Sequence, residues 1–345
     1  MSSSKLFIQT LRGEQTDRVP FWFMRQAGRY LPEYMALRKE AGSFLDLCYN
    51  PDFATEVTLQ PIRRFNMDAA ILFSDILVIP HALGQDLAFK VGEGPVLTPV
   101  DNLEKLEALT TDKLHDHLNP VYQTVSNLSK TLPENVALIG FAGAPWTVAT
   151  YMVNGRGSKD QAETRLMAYQ DRETFSKLID LLVKSTSEYL IKQVDHGAEA
   201  LQIFDSWSGT LPADEFITWC VEPMKKIVDN IRAVHPDVPI IGFPKGAGAK
   251  IKNYIKKTSV DAVSIDTSTS TSWVQNVIQP LCPVQGNLDP LLLVAGGKPL
   301  EKAVYHILEH LKDGSHVFNL GHGIIPQTPP ENVKMVSDII LNYRR

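Results

Sequence analysis

Eight short, almost continuously apolar runs punctuate this chain, and they constrain its fold more than any other feature. They are Val19–Phe23, Ala69–Phe73, Val136–Phe141, Glu199–Phe204, Pro239–Phe243, Asp261–Ile265, Pro283–Gly286 and His316–Asn319. Strict alternation of apolar and polar residues would mark strands with one wet face. Continuous runs instead predict strands covered on both faces, as in a parallel sheet wrapped by helices. The intervening segments carry helical periodicity. Phe175, Leu178, Ile179 and Leu182 recur at helical spacing, Tyr189, Leu190 and Val194 continue the stripe, and Gly197 is placed to stop it. A second helix is predicted near Leu300–Leu311, ending before Gly314. A third runs through Phe53, Val57 and Ile62, with Asp52 as its expected cap.

Eight β-runs alternating with helices predict an α/β protein, a single (β/α)₈ barrel over residues 1–345. An open doubly wound sheet is the competing architecture. The length exceeds the usual single-domain size of ~150 residues, but barrels with insertions reach it. The stretches between Phe23 and Asp68 and between Phe89 and Asn135 read as such insertions, and no Ser/Gly linker divides the chain.

Composition narrows the class further. Hydrophobic residues at 44% and charged residues at 21% exclude a disordered chain. A net charge of −5 argues against general nucleic-acid affinity. Cys48, Cys220 and Cys282 are scattered and form no C-x-x-C pair, which speaks against a disulfide scaffold or a structural zinc site and fits a reducing compartment. Met1–Lys5 has no apolar leader, and no apolar run approaches the ~20 residues that span a bilayer. A cytoplasmic protein with no membrane partner is the expectation.

In such barrels the chemistry sits where strands end. The first run leads to Met24-Arg25-Gln26-Ala27-Gly28-Arg29, the second to Ser74-Asp75, and the third to Gly143-Ala144-Pro145-Trp146 and on to Tyr151. The fourth ends at Phe204-Asp205-Ser206-Trp207, the fifth leads to Pro244-Lys245-Gly246, and the eighth to Gly321-His322-Gly323. Arg25 and Arg29 present two guanidinium forks suited to carboxylates or phosphates; pairing with surface acids is the plainer alternative. Asp75 is placed to accept N–H groups or hold a cation, or simply to cap the next helix. His322, between two glycines, reads as an exposed histidine able to donate to an anion or move a proton. Tyr151 and Ser206 are hydroxyl donors, and Phe204 is either core or one wall for a flat ligand. Sharper motifs fail. His306-Ile-Leu-Glu-His310 resembles a zinc pattern, but both histidines fall opposite the apolar face Ala303, Val304, Ile307, Leu308 and Leu311. His115-Asp-His117 lies in a polar stretch expected to be loop-rich. No G-x-G-x-x-G, Walker A or G-x-S-x-G is present.

One resemblance is specific. Phe21-Trp-Phe-Met-Arg-Gln-Ala-Gly-Arg-Tyr-Leu-Pro-Glu-Tyr34 resembles the N-terminal signature of the uroporphyrinogen decarboxylase family, and Gly140-Phe-Ala-Gly-Ala-Pro-Trp-Thr147 resembles its second signature. Leu59–Phe65, Ile71–Leu77, Tyr151–Val153 and Asn319–Gly323 also match in order, so the likeness spans nearly the whole chain. It implies a single (β/α)₈ barrel that removes carbon dioxide from the four acetate arms of uroporphyrinogen III, giving coproporphyrinogen III. It further implies no metal or organic cofactor, and a homodimer with facing clefts. It places substrate contacts at Arg25, Arg29, Asp75, Tyr151, Ser206 and His322, with Phe141 and Phe204 as apolar walls and Gln26 as a further contact. Asp75, Arg25, Arg29, Tyr151 and His322 are the catalytic expectation. A protonated pyrrole accepts the electrons left by carbon dioxide, and the Asp75 carboxylate would hold the pyrrole N–H groups and stabilise that cation. His322, water or an arginine relay remain open as proton donor. Two other readings compete. One is a zinc-dependent, cobalamin-linked methyltransferase on the same barrel, whose thiolate–histidine site finds no H-x-C pair here. The other is a tetrapyrrole-binding protein without activity.

Overall fold

The computed structural model describes residues 5–90 and 92–345. Seven parallel strands form one curled sheet: β1 (Ala69–Ile71), β4 (Ala137–Gly143), β5 (Ala200–Asp205), β6 (Ile240–Pro244), β7 (Ala262–Ser264), β8 (Val284–Leu288) and β9 (His316–Leu320), paired in that order. Two further strands, β2 (Leu87–Lys90) and β3 (Gly94–Leu97), make a separate antiparallel hairpin. The apolar runs thus sit where strands were expected, with helices covering the outer face, and the open doubly wound sheet is set aside.

The barrel is incompletely closed, and the defect lies at the first run. Val19–Phe23 makes a single bridge, Phe21 to Phe318, instead of a full strand. The Phe318 N–H donates to the Pro20 carbonyl at 2.9 Å, and the Asp68 N–H donates to the Phe21 carbonyl at 2.9 Å. This stave therefore spans β9 and β1 through a few bonds only. Two residues explain why. Pro20 has no N–H to give a ladder, and the Phe21 N–H goes to the Asp68 carboxylate at 2.9 Å, not to a backbone carbonyl. The same carboxylate takes an Arg18 guanidinium N–H at 2.9 Å and lies 4% exposed, so a buried ion pair stands in for the missing ladder at the seam.

Inside the barrel, helix Leu6–Leu11 supplies Phe7, Ile8 and Leu11 to a cluster with Trp22, Ile139, Ile241 and Phe243. Ala69, Ala137, Ala200 and Ala262 belong to the same cluster and open their strands; small residues there leave room for the helix at the N-terminal end. Above them runs a dry polar layer. The Trp22 indole N–H donates to Gln285 at 2.7 Å, and Gln285 and Gln202 both donate to the Ser264 hydroxyl, at 2.6 and 3.1 Å. Mutual satisfaction is what makes buried amides tolerable.

The predicted helices form as Arg172–Asp195, Gly297–His310 and Pro51–Phe65. The cap of the last is Asn50, not Asp52. Asn50 Oδ1 accepts the Asp52 and Phe53 N–H groups at 3.0 and 3.1 Å, and Pro51 fills the first helical position. The first insertion carries helices Pro32–Ala41 and Phe44–Tyr49 before it. The second carries the β2–β3 hairpin and helix Leu114–Thr131. His115 and His117 consequently lie on a helix, because Leu114, Leu118, Val121, Val125 and Leu128 give that segment a buried stripe. Among the described residues no helix is long and apolar enough to cross a membrane.

Candidate active site

Arg25 is the most constrained residue of the rim. Its φ is +59°, a left-handed conformation that costs a non-glycine residue roughly 1 kcal/mol or more. The turn is held by its neighbours. The Met24 N–H donates to Asn319 Oδ1 at 3.0 Å, the Ile324 N–H to the Met24 carbonyl at 2.8 Å, and the Gln26 N–H to the Phe23 carbonyl at 2.9 Å. Asn319 closes β9, so the arginine turn is tied to the histidine loop that follows it. The two glycines around His322 are demanded by close approach. A Cβ at Gly323 would stand 2.4 Å from Arg25 Cδ, and one at Gly321 would stand 2.3 Å from the Thr267 backbone nitrogen. The Gly-His-Gly pattern thus lets Arg25 lie across the loop.

Asp75 follows β1 on a short loop, half-buried, with Oδ1 accepting the Leu77 N–H at 2.8 Å. It therefore makes a turn of its own, yet helix Val78–Ala82 starts beyond it. Burial pushes its carboxyl up from 3.8 to about 6, against the lowering pull of the Leu77 N–H and the Arg25 guanidinium. Tyr151, on helix Pro145–Asn154, is raised by burial; a hydrogen bond with Trp207 lowers it, the Asp75 charge raises it and Arg25 lowers it. His322 is pushed down to about 3 by burial, with the Arg25 and Lys245 charges adding to it. Charge thus links these side chains: Arg25 acts on Asp75, Tyr151 and His322, and Lys245 on His322. Among the described residues neither Arg25, Arg29 nor Lys245 has a carboxylate at ion-pair distance. Such cations are free to receive an anionic ligand.

The other expected residues divide. Phe141 and Phe204 meet edge to face at 5.8 Å, and Phe204 also meets Phe243 at 6.2 Å; Phe204 is half-buried and keeps part of its surface accessible. Ser206 follows β5 directly, next to Trp207, whose ring centre lies 6.5 Å from that of Tyr151. Arg29 is exposed, and its charge acts on Tyr34 rather than on Asp75. Gln26 departs from the expectation of a substrate contact. Its side chain is 0% exposed, accepting the Phe23 N–H and donating to the Ala69 carbonyl at 3.4 Å. It braces the arginine turn against β1. His306 and His310 lie on the outer surface, as their spacing predicts.

Sequence reasoning passed over Lys245, whose place after a strand was noted without a role. It also passed over Asn319, whose position in the matched Asn319–Gly323 motif is the signal that would have found it. A second carboxyl, Asp205, is 2% exposed and is pushed up to about 6 by burial. The Thr147 hydroxyl at 2.6 Å, the Cys220 thiol and the Thr147 N–H counter that shift. It anchors the end of β5 to the helix that carries Tyr151.

Fold and rim together define a barrel enzyme whose mouth sets cations, without carboxylate partners among the described residues, near the partly desolvated Asp75. The comparisons with known proteins make this specific. The model of the uroporphyrinogen decarboxylase (URO-D) family matches residues 2–343, and the chain belongs to that family. It is 54% identical over 338 residues to the uroporphyrinogen decarboxylase of Rhodospirillum rubrum, covering 98% of this chain and 97% of that one. It is 55% identical over 333 residues to the uroporphyrinogen decarboxylase of Brucella anthropi, covering 96% and 97%. Among solved structures, a methyltransferase from Methanosarcina mazei superposes with a TM-score of 0.80 over 97% of this chain and 98% of that one. At 19% identity this likeness is one of fold alone.

Proposed function

We propose that this chain is a carboxy-lyase that converts uroporphyrinogen III to coproporphyrinogen III by removing carbon dioxide from its four acetate arms. The observation that carries the reading is Asp75. It is a half-buried carboxyl with no guanidinium or ammonium at ion-pair distance among the described residues, and the Arg25 charge acts on it from the same mouth. A macrocycle with inward pyrrole N–H groups and outward carboxylates complements that pattern. Asp75 accepts the N–H groups, while Arg25, Arg29 and Lys245 receive carboxylates, and Tyr151, Ser206 and His322 orient the reacting arm. Phe141 and Phe204 supply an apolar wall.

Chemistry follows from the same arrangement. Protonation of a pyrrole carbon makes the ring cationic, the C–C bond to the carboxylate breaks, and its electrons flow into the ring. The Asp75 charge stabilises that cation as it develops, in a site where little water screens it. The exocyclic carbon then takes a proton to become a methyl group, and the ring carbon gives up the proton it first took, so that the neutral pyrrole returns and one proton is consumed for each carbon dioxide lost. His322 enters the cycle neutral, because burial and two cations oppose its protonation. It serves first as a hydrogen-bond donor, and bound substrate carboxylates favour its protonated form. A cytoplasmic setting and a homodimer belong to the same proposal; three free, buried cysteines support the first.

Anaerobic incubation with uroporphyrinogen III and a chelator, followed by chromatography of the oxidised products, tests the reading. Hepta- through tetracarboxyl porphyrins are expected. Binding without loss of carbon dioxide would overturn it.

A further inference from the structure

Away from the mouth, three helices bring three donor atoms to one point. Tyr49 comes from Phe44–Tyr49, His81 from Val78–Ala82 and His117 from Leu114–Thr131. The Tyr49 hydroxyl lies 3.1 Å from His81 Nδ1 and 3.1 Å from His117 Nε2, and the two ring nitrogens are 3.2 Å apart. The three side chains are half-buried. The triangle is nearly equilateral, and linear hydrogen bonds account for two of its sides, the third needing a three-centre N–H. An imidazole nitrogen that carries a proton has no lone pair to accept with. A chain from His117 N–H to the phenol and from the phenol to His81 satisfies two sides and leaves the nitrogens in contact.

A cation satisfies all three. In a tetrahedral site with metal–nitrogen bonds of ~2.05 Å, neighbouring donors stand ~3.3 Å apart, close to the spacing found here. Two imidazoles and a phenol suit a divalent first-row transition ion of the zinc type. We infer that Tyr49, His81 and His117 form a divalent-metal site joining three helices, with solvent completing the coordination.

The site is separate from the mouth but linked to it. The His81 N–H donates to the Leu77 carbonyl at 3.2 Å, one turn from the Leu77 N–H that holds Asp75. A metal there clamps the helix that follows the catalytic loop. The alternative position for an added metal is His306 and His310, two histidines one turn apart on an exposed helix face, with ring centres 3.9 Å apart.

Calorimetric titration of the chelator-stripped full chain with zinc, beside a thermal melt with and without it, tests the assignment. One zinc per chain at micromolar metal is expected, with a rise in Tm, both retained in the double variant H306A/H310A. Each of His81→Gln and His117→Gln should weaken binding at least about tenfold and abolish the rise in Tm. Tyr49→Phe should weaken it less. Circular dichroism confirms that each variant is folded, and His117→Gln carries the test if His81→Gln is not. No binding at micromolar zinc, equal binding by folded His81→Gln or His117→Gln, or binding lost only in H306A/H310A would each overturn the site.

Discussion

Asp75 is placed where function and stability pull in opposite directions. Its carboxyl rises from 3.8 to about 6, so its ionisation opposes folding. The penalty is absent below about 3.8 and fully felt above about 6, where it amounts to at most about 3 kcal/mol. Asp75→Asn is therefore expected to lower kcat by about a hundred- to a thousandfold, the loss usual for a preorganised electrostatic partner. The same variant should melt higher than the parent at pH 7.5, with no gain at pH 4. Parallel assays and melts check both halves, and near-normal turnover would remove Asp75 from the chemistry. The pH profile follows from the same residue. kcat/KM reports the free enzyme, so its acid limb should fall with a midpoint near 6 as Asp75 protonates. His322, at about 3, adds nothing in that window. Arg25 lowers the Asp75 value, so in Arg25→Gln the midpoint should move upward while kcat/KM falls; a midpoint that stays or moves down would contradict the coupling.

At the scale of elements, the seam at Phe21 shows what a sequence conveys and what it withholds. Most of the apolar runs form strands where their pattern places them, because burial on both faces leaves a local signature. The failure of Val19–Phe23 to make a full strand depends on Asp68, a residue far along the chain, capturing the Phe21 N–H. Periodicity does not register a long-range side-chain bond of that kind. The positions of Arg25, Asp75, Ser206 and His322 beside the strand ends were legible, since each follows an apolar run, whereas Tyr151 sits within the helix beyond β4. The inward turn of Gln26 and the bracing by Asn319 were not, because both depend on where backbone donors lie in space. Asp68 tests the seam directly. Asp68→Ala strips Arg18 of its partner and leaves the Phe21 N–H unpaired, so it should destabilise the fold by about 3 kcal/mol, the range for breaking a buried pair. Denaturant unfolding measures this, and a change under 1 kcal/mol would mean the seam does not rely on the ion pair.

For the whole molecule, the barrel explains why one mouth gathers side chains from distant parts of the sequence: parallel strands all end on the same side. That geometry is shared with proteins of very different chemistry, as the 19% identical methyltransferase illustrates, so fold alone does not choose the reaction. On the function proposed above the rim does, by setting the Asp75 carboxylate among cations that have no carboxylate partner among the described residues. The proposed dimer belongs at this scale as well. Sedimentation equilibrium at micromolar protein should return twice the chain mass of 38.4 kDa, and a monomer at that concentration would contradict it.

The stave that carries Arg25 hangs from its neighbours by few main-chain bonds, whereas β4 and β5 are paired along five residues. Amide protons of Phe21–Met24 should therefore exchange with deuterium faster than those of β4, although both segments are buried. On the role proposed for Arg25, the guanidinium that would release one carboxylate and accept the next, through four rounds on a single macrocycle, is mounted on a part of the wall expected to open at low cost.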